Sequence, residues 1–363
     1  MGRVVALTFI LLLASSPLEA DEENERRDSV EQYLNWFPGT GETLLVMQQE
    51  YEILAVAKTV DVGPTWLESR LSRMFDDDAR KILAGSKLEL CLESTTRFRF
   101  PDFPEEVRGI VNLTGCHYTY DGCHVFVFDK EASPDFAKLF AGLLVKRPGK
   151  DSLIPPARRH NIAGHETIEF VASHLFHHRP KAGRETPELG KVIDLAWAER
   201  FWITSPEPNI LLVATSRDFL ESTLSGIEQP NHESFSKDFD EWKTLTGNAP
   251  VWGMRHMKSK PVQGDITDPR RLGELDFSGS TFAISPRNQT ATLRFLNCNQ
   301  SFTKSMERSI AAYVDADAQF DADENGTLTA RLDWSKLSDD ELKNKAQGLA
   351  FWLQTHLGYA III

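Results

Sequence analysis

FWITSPEPNILLVATSRDFLESTLSGI, residues 201–227, predicts a strand, a tight turn, a second strand and a capped helix in direct succession. Turn residues between two apolar runs are typical of a β-hairpin. Ser216 stands where a helix N-cap is expected, because its hydroxyl can accept a hydrogen bond from a free amide of the first turn. Phe219 follows three residues later as an apolar anchor. The stretch therefore predicts a hairpin followed by a helix.

The same order of signals occurs twice more. CHYTYDGCHVFVF (116–128) precedes SPDFAKLFAGLL (133–144), and TFAISPRNQTATLRFLN (281–297) precedes NQSFTKSMERSIAAY (299–313). We expect the first hairpin to turn at Asp121-Gly122. The predicted caps are Ser133, Ser216 and Asn299, each with Phe three residues later and with two equal spacings of 83 residues. We interpret this period of ~83 residues as internal duplication.

The fold class that follows is α+β, with tandem ββ(β)α modules in a mainly antiparallel sheet that helices cover on one face. The predicted organisation runs through six consecutive ranges. They are a signal peptide (1–20), an N-terminal segment with a degenerate leading module (21–78), repeat module 1 (79–156), module 2 (157–246), module 3 (247–314) and a C-terminal hairpin–helix module (315–363).

The N-terminal residues predict export. Arg3 precedes an apolar run from Val4 to Ala14, and small residues lead to a cleavage site near Ala20. This pattern is typical of a secretory signal peptide, and no later stretch is apolar for long enough to span a membrane. The formal net charge of −13 disfavours nucleic-acid binding. We expect a periplasmic or extracellular protein without a transmembrane segment in its mature chain.

FDADENGTLTARLDW, residues 320–334, resembles a calcium loop in its acidic spacing. A calcium loop needs a glutamate at its twelfth position and helices on both sides, whereas here Leu332 stands at that position and both flanks alternate with the period of a strand. Asn325-Gly326 is a strong hairpin signal, typical of a two-residue type I′ turn. Ser338 and Glu341 then form a capping box before a last helix. We therefore predict a final hairpin and helix.

The four cysteines are Cys91, Cys116, Cys123 and Cys298. In an exported protein they permit disulfides, and Cys91 could pair with Cys116 or Cys123 if their strands lie side by side; buried thiols are the equal alternative. Cys298 precedes a helix cap, but no histidine near it in sequence would make it a nucleophile. Glu89 and Glu169 hold equivalent strand positions, where a glycosidase-like acid pair competes with solvent-exposed glutamates.

Five of the ten histidines fall between residues 160 and 178. The candidate metal ligands, for a zinc ion as the cofactor, are His160, His165, His174 and His178. Glu166 would be the base of a metal-dependent hydrolase, although no second histidine follows it at the helical spacing that such enzymes use. Solvated loop histidines are the simpler interpretation.

The same region is basic in an acidic chain. Residues 146–184 contain eight Lys or Arg and three Asp or Glu, a local excess of five positive charges. The candidate binding residues for an anionic polymer or an acidic protein are Arg158, Arg159, His174, His177, His178, Arg179, Lys181 and Arg184. Because no set of catalytic residues converges in the sequence, we expect a non-enzymatic binding or scaffold protein, with the metal-dependent hydrolase as the alternative.

Overall fold

The computed structural model describes residues 30–39, 42–48, 81–83, 86–99, 119–145, 155–173, 198–230, 235–245, 249, 251–256, 277–285 and 289–338, and parts of a helical segment between 341 and 357. Twelve strands occur in these residues. They are β1 (Thr43–Gln48), β2 (Leu88–Arg99), β3 (Thr119–Phe128), β4 (Arg158–Ile162), β5 (His165–Ser173), β6 (Ala198–Glu207), β7 (Ile210–Ala214), β8 (Val251–His256), β9 (Gly279–Ser285), β10 (Thr290–Leu296), β11 (Gln319–Ala322) and β12 (Leu328–Asp333).

All of these strands belong to one antiparallel sheet. Its order is β11-β12-β10-β9-β8-β1-β2-β3-β7-β6-β5-β4, so β11 and β4 are the two end strands. Every neighbouring pair is antiparallel. Four helices with complete bounds occur in the described residues: α1 (Phe136–Val145), α2 (Arg217–Glu228), α3 (Asp240–Thr244) and α4 (Gln300–Tyr313). Residues 30–34 and 81–83 are also helical. The α+β class is therefore confirmed.

The helices pack on both faces of the sheet, so the prediction of helices on one face is wrong. Leu139 of α1 and Phe302 of α4 pack in one cluster with Phe126 of β3, and we call this side the α1 face. Leu220 of α2 packs in a second cluster with Val125, and this side is the α2 face. Neighbouring residues of a strand point to opposite faces, so two apolar faces require two helical layers.

Two of the predicted hairpin–helix units have the expected local structure. β6 and β7 form a hairpin, and the Ser216 side chain caps α2 by accepting a hydrogen bond of 3.4 Å from the amide of Phe219. β9 and β10 form the second, and Asn299 caps α4 through a 2.8 Å bond from the amide of Phe302. Local turn and cap chemistry therefore located both units correctly.

The first unit differs from the prediction in two places. Asp121-Gly122 is no turn but lies inside the continuous strand β3. A Cβ on Gly122 would lie 2.8 Å from the backbone oxygen of Ser94, so glycine lets β2 and β3 approach closely. The cap of α1 is also Asp135 rather than Ser133, because the amide of Lys138 donates to the Asp135 carboxylate at 2.9 Å. The equal cap spacing therefore does not extend to the first unit.

The last hairpin forms as predicted, but with a longer turn. β11 pairs with β12, and Gly326 has a φ of 79°. Asn325 does not share this conformation, which excludes a two-residue type I′ turn. Instead the Asp323 carboxylate accepts hydrogen bonds from the amides of Asn325 at 2.9 Å and Thr327 at 2.8 Å. One half of the predicted capping box forms, since Glu341 accepts from the amide of Ser338 at 3.0 Å, while the Ser338 hydroxyl also donates to the same carboxylate at 2.6 Å.

Strands from each predicted module lie next to one another in the sheet. β2 and β3 come from module 1, β4 to β7 from module 2, and β8 to β10 from module 3. β1, from the N-terminal segment, lies between β2 and β8.

The predicted signal peptide lies outside the described residues. Within the residues that the structure describes, no helix is long and apolar enough to cross a membrane.

Candidate functional site

The candidate binding residues that the structure describes lie on the β4–β5 hairpin at one end of the sheet. Arg158, His160 and Ile162 point to the α2 face, where Ile162 is buried. Arg159 points to the α1 face, because it pairs with the buried Ile168 of that face. Arg158 and Arg159 therefore lie on opposite faces of the sheet. His174, His177, His178, Arg179, Lys181 and Arg184 lie outside the described residues.

On the α2 face, Glu169 holds two basic side chains in fixed positions. Its Oε2 lies 2.9 Å from His160 Nε2, and its Oε1 lies 2.8 Å from an Arg200 guanidinium nitrogen. The carboxylate is nearly buried, whereas the Arg200 side chain is 56% exposed. The His160 ring also packs on Trp202, with ring centroids 5.0 Å apart. We name Arg158, His160, Glu169, Arg200 and Trp202 the β4–β6 cluster.

Arg158 completes the β4–β6 cluster from the end strand. It is the direct cross-strand neighbour of Glu169, and its side chain is exposed. Residues directly opposite on an antiparallel pair have Cβ atoms about 5 Å apart. Two exposed guanidinium groups thus flank one carboxylate, which leaves a net positive charge on this surface. Guanidinium groups bind carboxylates and phosphates through paired hydrogen bonds, so the cluster is suited to an anionic group.

The metal prediction gains no support from the described residues. His160 is held by Glu169, and Glu166 forms an ion pair with Arg159 at 3.0 Å on the other face. His165 is partly exposed, beside Ile162 in the register. In the part of the chain that the structure describes, no group of three or more His, Cys, Asp or Glu side chains is placed to hold a metal ion.

The positions of Cys91 and Cys123 contradict one of the two expected disulfides. β2 and β3 do lie side by side, but Cys91 is in the core of the α1 face and Cys123 in that of the α2 face. A disulfide cannot join side chains on opposite faces of a sheet, so the Cys91–Cys123 alternative is wrong. Burial raises the pKa of the Cys123 thiol to about 12. Cys116 lies outside the described residues.

Glu89 and Glu169 do not form an acid pair. The Glu89 side chain is half-exposed and lies 3.7 Å from Lys87, whereas Glu169 belongs to the β4–β6 cluster. Asp323, the central residue of the calcium-like stretch, is bonded to two backbone amides of its own turn. Asp321 lies 3.9 Å from Arg331 across the hairpin. Each of these acidic residues therefore has a local structural role.

Sequence reasoning missed a buried polar row on the α1 face. Ser280, Arg255, Thr43 and Thr95 are cross-strand neighbours on β9, β8, β1 and β2, and each is at most 8% exposed. The hydroxyls of Thr43 and Thr95 share a hydrogen bond. One rung further along the sheet, His124 Nε2 lies 3.9 Å from a carboxylate oxygen of Glu93. The row became visible only once the strand order was known.

Each buried glutamate among the described residues lies next to a histidine. Glu93 pairs with His124, Glu169 with His160, and both Glu241 oxygens lie 3.1 Å from His256 Nδ1. The His256 ring also stacks on Phe239 at a centroid distance of 3.8 Å. A buried carboxylate is costly without a charged or hydrogen-bonding partner. The Glu93 pair lies inside the protein, whereas His256 of the Glu241 pair is 28% exposed and the β4–β6 cluster opens to solvent through Arg200.

Comparison with known proteins gives little further information. No family model matches the chain, and no curated protein is significantly similar to it. Among solved structures, crystal form I of TP0453 has a TM-score of 0.44 and 11% identity, covering 87% of this chain and 95% of that chain. Crystal form III of TP0453 has a TM-score of 0.44 and 9% identity, covering 87% and 96%. TM-scores this low carry no functional conclusion.

Proposed function

We propose that this chain is an exported, non-enzymatic binding protein that captures an anionic partner at the β4 end of its sheet. The observation that carries this proposal is the β4–β6 cluster, in which the buried Glu169 carboxylate holds Arg200 and His160 beside the exposed Arg158. A side chain held in position in advance loses less entropy on binding, so Arg200 binds an anion better than a mobile arginine does.

The local charge supports an anionic polymer or an acidic protein as the partner. The charge of −13 belongs to the whole chain, whereas residues 146–184 are basic. Charges more than about 8 Å apart are largely screened at physiological ionic strength. The partner would therefore respond to Arg158 and Arg200 rather than to the distant acidic residues. The predicted His/Arg-rich segment, residues 174–184, stays part of the same proposal on its composition alone.

Export and a modular scaffold belong to the same proposal. The signal-peptide pattern of residues 1–20 would direct the chain to the periplasm or the cell exterior. Tandem strand–strand–helix modules would supply the scaffold, with a repeat of 83 residues between the caps Ser216 and Asn299. The hairpins β6–β7 and β9–β10, each followed by a side-chain-capped helix, support this interpretation.

Titration of the purified mature chain with poly-L-glutamate tests the proposed function. One readout is the part of the tryptophan fluorescence change that is lost in Trp202→Phe, because the Trp202 indole packs on His160. We expect binding that weakens with added salt and falls at least about fivefold in Arg158→Ala and Arg200→Ala. Arg308→Ala is the control, since it removes an exposed arginine from α4 on a different part of the molecule. Equal losses in all three variants would contradict a site at β4.

Metal analysis of the same preparation separates the binding protein from the metal-dependent hydrolase. We expect no stoichiometric zinc. Zinc present at one ion per chain and lost in His174→Ala and His178→Ala would replace the proposed function with the hydrolase, because those two histidines are candidate zinc ligands and an anion-binding surface holds no stoichiometric metal.

A further inference from the structure

Among the strands that the structure describes, the two end strands of the sheet are oriented so that one copy of the protein can continue the sheet of another. The sheet has twelve strands and each neighbouring pair is antiparallel, so the end strands β4 and β11 run in opposite directions. A second copy placed beside β4 with the same face outward therefore presents its β11 antiparallel to β4. This arrangement keeps both helical layers on their own sides of the extended sheet.

The two end strands carry opposite charges. β4 has Arg158 and Arg159, both exposed, and β11 has Asp321, whose side chain is 67% exposed. The turn after β11 adds the exposed residues Asp323 and Glu324. Charged residues on an end strand oppose edge-to-edge pairing with an identical strand. Here they oppose β4–β4 and β11–β11 contacts but favour the contact between β4 and β11.

The side chains of the two strands also match face by face. Arg158 lies on the α2 face, and Asp321 lies on the same face because its neighbour Phe320 packs into the α1-face core. In an antiparallel register with Arg158 opposite Asp321, Arg159 lies opposite Phe320 and His160 opposite Gln319. Each rung then joins side chains on the same face. A guanidinium group and an aromatic ring also attract each other.

We propose that β11 of a second copy adds to β4 by antiparallel strand pairing, with Arg158 opposite Asp321. This inference rests on the proposed function, because it identifies the acidic partner at β4 as another copy of the chain. The contact is heterologous, since each copy uses two different surfaces, and it therefore builds open chains of molecules rather than closed dimers. Backbone hydrogen bonds supply affinity, and the charges supply register and direction.

Sedimentation analysis of the mature chain tests this inference. The wild type associates reversibly as its concentration rises, and Arg158→Glu and Asp321→Lys each weaken association at least about tenfold through lost attraction and new repulsion. Mixing these two variants restores association into open chains in which the variants alternate, because the native β11 of Arg158→Glu pairs with the native β4 of Asp321→Lys. The two changed strands also carry opposite charges and can pair with each other. The control Asp218→Lys, exposed on α2, leaves association unchanged. A wild type that stays monomeric, or mixed variants that fail to pair, would overturn the inference.

A cross-linking measurement reports the register directly. Under mild oxidation, a mixture of Arg158→Cys and Asp321→Cys forms an intermolecular disulfide between the two new cysteines, because directly opposite Cβ atoms lie within disulfide range. Arg158→Cys mixed with Lys304→Cys, an exposed position on α4, gives no such product. Asp321→Lys keeps poly-L-glutamate binding while losing self-association, so failure of the self-association proposal is distinguishable from failure of the proposed function.

Discussion

The Asp315 carboxylate accepts a hydrogen bond of 2.9 Å from the indole Nε1 of Trp334, and it also accepts one of 2.7 Å from Lys345. These bonds join the end of α4, the end of β12 and the C-terminal helical segment around one buried acid. Burial alone would raise the pKa of Asp315, but the bonds from Lys345, the amide of Asp317 and Trp334 outweigh it and hold the pKa below its ordinary value.

Asp315→Asn should therefore destabilise the protein in a pH-dependent way. We expect about 2 kcal/mol lost at neutral pH, as for hydrogen bonds to a charged group. Because the folded pKa is depressed, the contribution is present above the unfolded pKa of about 3.9 and is lost as the pH falls through the folded pKa. Urea unfolding at several pH values should show the gap between wild type and variant closing in acid. The exposed Asp317→Asn is the control, and a pH-independent gap would contradict the ionic explanation.

The cap of α1 gives a second prediction. The amide of Lys138 donates to the Asp135 carboxylate at 2.9 Å, so Asp135→Ala should lower the free energy of unfolding by about 1 kcal/mol. Ser133→Ala should change it by only a few tenths, because Ser133 lies two residues before the cap. Chemical denaturation of both variants makes the comparison. A larger loss in Ser133→Ala would restore the cap position that the repeat spacing predicted.

Local signals predicted the parts of the fold that depend on neighbours in sequence. The caps Ser216 and Asn299 and the hairpin near Gly326 follow from side chains that act within a few residues. Asp121-Gly122 carries the same local signal but lies within β3, because the approach of Ser94 across the sheet decides its conformation. Turn chemistry alone cannot show such a distant contact.

The sequence contains a pattern that predicts helices on both faces of the sheet. All five residues of β7, Ile210–Ala214, are buried. An unbroken apolar strand indicates that both of its faces are covered. The β4–β6 cluster, in contrast, joins His160 to Arg200 through Glu169, with Arg158 opposite Glu169 in the register, across three strands and about forty residues of chain. Arg158 and His160 stood out by composition, whereas Arg200 and Trp202 became part of the site only through the strand register.

Cys123 gives a third prediction. Its thiol is buried, and its pKa is raised to about 12, so almost no reactive thiolate exists at neutral pH. Native protein treated with iodoacetamide should leave Cys123 unmodified, and modification should follow unfolding in urea. Peptide mapping after oxidation should also show no Cys91–Cys123 disulfide, since the two side chains lie on opposite faces. Detection of that disulfide would contradict the β2–β3 register.

Two helical glycines should respond to the same substitution with opposite signs. Gly142 in α1 is exposed, and a Cβ there would meet no atom within 4 Å. Gly142→Ala should therefore raise the free energy of unfolding by about 0.5–1 kcal/mol, because alanine loses less backbone entropy in a helix. Gly226 in α2 is buried, and a Cβ there would lie 2.4 Å from the backbone oxygen of Trp36.

Gly226→Ala should lower the free energy of unfolding by about 1–3 kcal/mol, as expected for overpacking against a backbone that cannot rotate away. Urea midpoints measured with equal m-values make the comparison, because equal slopes show that both variants unfold from the same compact state. The pair tests the position of residues 30–37 on the α2 face, where Phe37 and Leu220 share a core. If Gly226→Ala were as stabilising as Gly142→Ala, residues 30–37 would not lie against α2.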